Sequence, residues 1–135
     1  MSGLTSYGQK KLLDYVLAIA SYTAPVGMYL SLHTTSPTDA GSLAGEVSAS
    51  GTGYVRQLIT GSMFSTDATT GESTNSAVIS FPTITAEYGT VTYIGLNDAI
   101  TGGNMVFWGA ITEPQNKVVG ESYQFSIGQL SVQLV

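Results

Sequence analysis

The hydrophobic period of this chain changes once, at Pro25, and that change limits what the chain can fold into. Before it, Leu12, Val16, Ile19 and Ala20 recur at helical spacing, and Leu13 and Leu17 widen the stripe. The spacing predicts one helix over Thr5 to Ser21. Ser6 followed by Gln9 resembles a capping box, and Ala24-Pro25 forms the stop, since a residue before proline is disfavoured in helical geometry. After Pro25 the period is two: Val26, Met28, Leu30 and Leu32 alternate with Gly27, Tyr29, Ser31 and His33, the pattern of a half-buried strand.

Short strands then follow between turn signals. They are expected over Tyr54–Thr60, Ala77–Phe81, Val91–Asn97, Met105–Ile111, Tyr123–Ile127 and Leu130–Leu134. Gly95 inside its strand marks a bulge or a close backbone approach. Thr101-Gly102-Gly103-Asn104 reads as a hairpin turn, because glycine takes the positive φ such turns need. Thr34–Thr52 and Gly61–Asn75 read as long polar loops, the second with a short strand near Met63-Phe64. The fold expected is mainly β: an antiparallel β-sandwich or barrel-like domain of about seven to eight strands with one N-terminal α-helix. Its length suits a single domain, 1–135, with residues 1–24 as helix and connection and 25–135 as β-domain. The helix stripe, with Leu12 and Val16 at its centre, is expected to pack on the β-domain or on a larger particle, because a helix this short is marginal alone.

Charge and cysteine narrow the function classes. Only 10% of residues are charged, which is low for a free monomer and fits a packed assembly. The net charge is −5, and the four basic residues, Lys10, Lys11, Arg56 and Lys117, form no long cluster, so duplex nucleic acid is not an expected partner. Without cysteine there is no disulfide framework and no thiolate metal site. The apolar run Leu12–Ala20 contains Asp14 and is too short to span a bilayer, so no membrane association is expected.

Candidate chemistry is sparse. His33 is the sole histidine; Ser31 or Ser36 could pair with it and Asp39 could orient it, but a triad is defined by geometry and serine abounds here. The plainer reading is a strand-end histidine bonded to a loop. Asp39, Glu46, Asp67, Glu72, Glu87, Asp98, Glu113 and Glu121 scatter through turns, without the dense spacing of a calcium loop. Gly51-Thr52-Gly53 lacks the third glycine and the following helix of a dinucleotide fingerprint. No catalytic residue, cofactor or metal is therefore expected. Eight tyrosines suit strands, protein interfaces or sugar platforms. Tyr54, Arg56, Tyr93 and Trp108, with Leu12 and Val16, are the interface candidates, and Arg56 is expected to anchor the base of the Thr34–Thr52 loop.

The ordered segments "GLTSYGQKKLLDYVLA", "LSLHTTSPTDAG", "GTGYVRQ" and "YGTVTYIGLNDAITGGNMVFWGAI" together resemble a widespread family of small tailed-bacteriophage structural proteins. These are tail-fibre-like proteins, and some resemble capsid decoration or head-fibre proteins. The resemblance runs from about Leu4 to Leu134 and carries no catalytic residues. It implies a virion component, assembled in the bacterial cytoplasm, that is a homotrimer in contact with the major capsid protein or other virion proteins. The reading reached here is a non-enzymatic trimeric capsid decoration or minor capsid protein on the head. The alternative is a tail-fibre or baseplate-associated protein contacting the host. From another class, a carbohydrate-binding module would use Tyr and Trp108 on a host surface glycan, and a glycan hydrolase would need two loop carboxyls flanking one bond.

Overall fold

The computed structural model describes residues 3–23, 25 and 27–134. Ala24 and Val26, at the expected helix stop and strand start, lie outside the described residues. In chain order the elements are β1 (Gly3–Leu4), α1 (Ser6–Val16), β2 (Gly27–His33), β3 (Gln57–Thr60), β4 (Phe64–Thr66), β5 (Ser73–Asn75), β6 (Ile79–Ser80), β7 (Thr90–Asn97), β8 (Met105–Asn116), β9 (Gln124–Phe125) and β10 (Ser131–Val132). The mainly β, antiparallel fold with one N-terminal helix is as expected, with ten strands among the described residues, several of them only two residues long.

The main sheet runs β1-β8-β7-β2-β3, every neighbour antiparallel. Its register puts Leu30, Leu32, Ile94 and Leu96 on one face, because side chains alternate along each strand. That face packs on Ile79, Phe81, Tyr123, Phe125 and Leu130, from or beside the small sheets β10-β5-β4 and β6-β9. The small sheets are poor in apolar alternation and are held by polar bonds. Buried Asn75 is the main one: its Nδ2 donates to the carbonyls of Ala77 (3.0 Å) and Ser126 (2.9 Å), and its Oδ1 accepts from Leu130 N–H (2.9 Å). The expected 61–75 loop is thus a 3₁₀ turn, Gly61–Met63, followed by the β4–β5 hairpin.

The second face of the main sheet carries Ser31, His33, Gly95 and Asn97, all buried. The 34–47 segment folds over it, burying Pro37 and pairing Val47 N–H to Leu32 C=O (2.9 Å). Gly95 is the close approach its position suggests. A Cβ there would lie 2.7 Å from Met105 Cε and 3.0 Å from Ser31 Oγ, while the register shifts fall on either side of it, between Val91 and Tyr93 and between Leu96 and Asn97.

The helix departs most from expectation. Its N-cap is Thr5, one residue before the expected Ser6. The Thr5 hydroxyl accepts from Gly8 N–H (3.1 Å) and donates to Met105 C=O (2.5 Å), stitching the helix start to β8. The helix stops at Val16, well before Pro25. Ala18 takes φ +57°, and Ile19 N–H bonds back to Asp14 C=O (2.8 Å) while Ala18 N–H bonds to Tyr15 C=O (3.2 Å). This is a Schellman end with alanine in the place that usually holds glycine, which is why no glycine signals it. Only the helix start packs: Gly8 is the buried residue, and Leu12 is half-buried. Val16 is 66% exposed, so the expected packing of the whole stripe on the β-domain is not what the chain adopts.

Gly8 permits that packing. A Cβ there would sit 2.5 Å from Val106 O, a backbone atom that cannot step aside. Alanine gains about 1 kcal/mol over glycine in an open helix, yet Gly8→Ala is expected to destabilise the fold by about 1–3 kcal/mol through overpacking. Gly61→Ala, with nothing within 4 Å, is the near-neutral control. Thermal melting of the two variants beside the parent checks the order.

Candidate functional site

The sequence candidates separate into a buried polar network and an exposed surface. In the network, Arg56 is 4% exposed and bound on all sides. Its Nε donates to Glu46 Oε2 and its Nη2 to Glu46 Oε1, both at 2.7 Å, in the bidentate geometry that a planar guanidinium favours. Its Nη1 donates to the carbonyls of Ala99 (2.7 Å) and Gly102 (2.9 Å) in the β7–β8 turn. Tyr54, also buried, donates its hydroxyl to Glu46 Oε2 (2.7 Å) and accepts from Leu32 N–H (3.2 Å). Burial alone would raise the Glu46 carboxyl, but the bonds from Arg56 and Tyr54 outweigh it and hold the group below its ordinary value. Burial and the Glu46 carboxylate both push the Tyr54 hydroxyl up. Arg56 does hold the base of the 34–52 loop, through a buried ion pair inside the chain. Its donors and the Tyr54 hydroxyl are directed inward and leave little for a partner.

Ser31 and His33 do meet, with Oγ and Nε2 2.8 Å apart, but both are fully buried. Asn97 Nδ2 donates to the same oxygen (2.8 Å), and Ser31 in turn donates to Gly95 C=O (3.2 Å). The hydroxyl's one proton then goes to Gly95, so His33 donates from Nε2 and leaves only a lone pair at Nδ1, which has no partner. A serine used in this way, sealed under the loop, is not placed as a nucleophile. Asp39 does not orient the ring: it accepts from Trp108 Nε1 (3.0 Å).

Other carboxylates hold turns. Asp67 accepts from Thr69 and Thr70 N–H (2.7 and 2.9 Å), Asp98 from Asn104 N–H (2.7 Å) and Glu121 from Val118 N–H (2.8 Å). A cleft of 370 Å³ between β8 and the β9–β10 region has one carboxylate, Glu113, among its lining residues. Among the described residues no group of three or more His, Asp or Glu could hold a metal ion, and no helix is long and apolar enough to cross a membrane.

On the surface, Tyr93 and Trp108 stand together half-buried, ring centroids 6.0 Å apart and tilted by 39°. The tilt and the Asp39 bond make them a latch for the loop more than a flat platform for a sugar ring. The larger apolar surface is elsewhere. Leu17 and Ile19, 63% and 69% exposed, continue the bare end of α1 beyond Val16, with Leu13 and Tyr15 beside them. Next to it runs an apolar groove of 470 Å³, lined by Leu12, Met28, Ile59, Phe64, Phe107 and Val132 among others. Sequence reading found the helix stripe but missed the groove, whose six named wall residues come from six separate elements and share no local pattern.

The network sets a pH dependence. Burial pushes His33 down to about 4, with Glu46 opposing and Arg56 adding to the fall. The unfolded ring takes a proton near 6.5, so between those values the unfolded chain binds a proton that the folded chain refuses. Stability is therefore whole above pH 6.5 and falls by roughly 3 kcal/mol as pH drops to 4. Glu46 adds a further loss as pH falls below its unfolded value of 4.5. His33→Gln is expected to flatten the loss between pH 6.5 and 4.5, whatever it does to absolute stability. Melting curves across that range check it, and an unchanged slope assigns the effect elsewhere. Arg56→Lys keeps the charge but cannot reach both Glu46 oxygens and two carbonyls. It is expected to lower stability by about 3 kcal/mol, read from the urea midpoint.

The chain matches, over residues 3–133, the family model described as Podophage GP4 fiber I protein gp80. No curated protein matches it.

Proposed function

The chain belongs to the Podophage GP4 fiber I protein gp80 family, and from that membership we propose that it is a non-enzymatic fibre subunit that works as a homotrimer. The family is a bacteriophage structural family, so the protein is part of the virion and associates with other virion components. The observation that carries the fibre reading is a match to a fibre protein that spans nearly the whole chain, from β1 to the end of β10. It moves the balance from head decoration to a fibre. Two features of the chain support an assembly role. Arg56, Glu46 and Tyr54 turn their polar groups inward on one another, while large apolar side chains are bare at the end of α1 and along the groove. Contact with copies or neighbours uses such surface; turnover of a substrate needs an open acid, base or nucleophile, and Ser31 and His33 are closed in.

Particles carrying an epitope tag on this chain, labelled and viewed by electron microscopy, test the reading. Label is expected on fibres projecting from the particle. Label distributed over the head shell would support the decoration reading and overturn this one.

A further inference from the structure

We infer that the bare end of α1 is the contact between copies: Val16, Leu17 and Ile19 of one chain enter the apolar groove of the next. Leu13, Tyr15, Val16, Leu17 and Ile19 are all exposed, by 56% to 69%, a cluster of large apolar side chains of the kind that marks an interaction site. The groove is complementary in size and chemistry. Its 470 Å³ suits a few aliphatic side chains, and no carboxylate lines it. The entering segment brings no charge of its own, since no charged residue occurs between Asp14 and Asp39, and Lys11 is the one ionic side chain lining the groove.

Electrostatics favours a second copy over an arbitrary apolar partner. The last turn of α1 has no basic residue of its own to meet its carbonyl end. Lys11 stands at the groove wall of every copy, where it would face the incoming helix end. Lys10 and Lys11 against Asp14 give the helix a net positive charge, whereas the rest of the chain has Arg56 and Lys117 against eight carboxylates. Helix and groove are different surfaces of one chain, so the contact is head-to-tail. Such a contact closes into a ring when its rotation allows, and three copies suffice. Leu12 belongs to the groove and Val16, one turn later, to the inserted end, which places the two near each other in every subunit and favours a tight ring around the helices.

This deepens the assembly role proposed above, and the purified chain tests it without particles, so its failure leaves the placement on the particle untouched. The parent chain is expected to run as a trimer by light scattering at micromolar concentration. Val16→Asp/Ile19→Asp, altering exposed side chains only, is expected to run as a monomer with unchanged circular dichroism. Because the chain has no cysteine, single-cysteine chains give a positive readout independent of that variant. Mixed Ile19→Cys and Leu134→Cys chains, the second at the groove, are expected to form a disulfide-linked dimer at least 10-fold more than either alone. A monomeric parent at 100 µM, a double variant that associates like the parent, or no excess of mixed cross-link would each overturn the inference. A monomeric parent whose double variant also fails to enter particles would assign the helix end to another virion protein instead.

Discussion

One guanidinium decides how three stretches of this chain meet. Arg56, at the entry to β3, grips Glu46 from the long loop and two carbonyls from the β7–β8 turn. These groups lie 10 to 46 residues from it in sequence. A buried ion pair is weak support for stability by itself, since desolvating both ions offsets most of their attraction. What it supplies is position: four donors in one plane define where the loop and the turn must lie. Tyr54 then adds its hydroxyl to the same carboxylate and its ring to Phe81, 6.1 Å away, and so joins the polar cluster to the apolar core.

The loop held by that clamp closes the second face of the main sheet, which explains how Ser31, His33 and Asn97 come to be buried. Each would be expensive alone in an apolar interior. Together they share one hydroxyl as acceptor and donor, and His33 stays neutral. The sheet thus has two unlike faces: a hydrophobic one toward the small sheets and a hydrogen-bonded one beneath the loop. The helix start, bound through Thr5 and Ser6 to β8 and to Asp39 of the loop, lies at the border of the second.

What was legible in the sequence followed from local periodicity. Leu30 and Leu32, with Ile94 and Leu96, announce strands, and Gly95 and Gly102-Gly103 announce a close approach and a turn, because a single residue type carries each signal. In the 61–75 hairpin, Phe64 signalled the first strand, but its partner was hidden because Ser73-Thr74-Asn75 has no apolar alternation and is held by an amide. The helix end was hidden because Ala18 occupies a left-handed site without being glycine. Among the interface candidates, type alone could not separate buried Tyr54 and Arg56 from exposed Val16: an arginine and a tyrosine suit a clamp as well as an interface. The partner that decides, Glu46, lies in a loop whose path no sequence pattern fixes.

The Thr5 cap has a consequence for the order in which the chain is made. Its hydroxyl closes on Met105, 100 residues later, and Gly8 packs beneath Val106. As synthesis proceeds from N- to C-terminus, the helix start is therefore made well before the strand that docks it, and it waits until β8 follows. Contacts of such separation slow folding, because a long loop must close before they give any return. During that interval the apolar residues of α1 are without their β8 support. A nascent chain therefore holds this adhesive segment unanchored while the intervening strands are made, and crowding of several copies on one message would bring those segments together before β8 is complete.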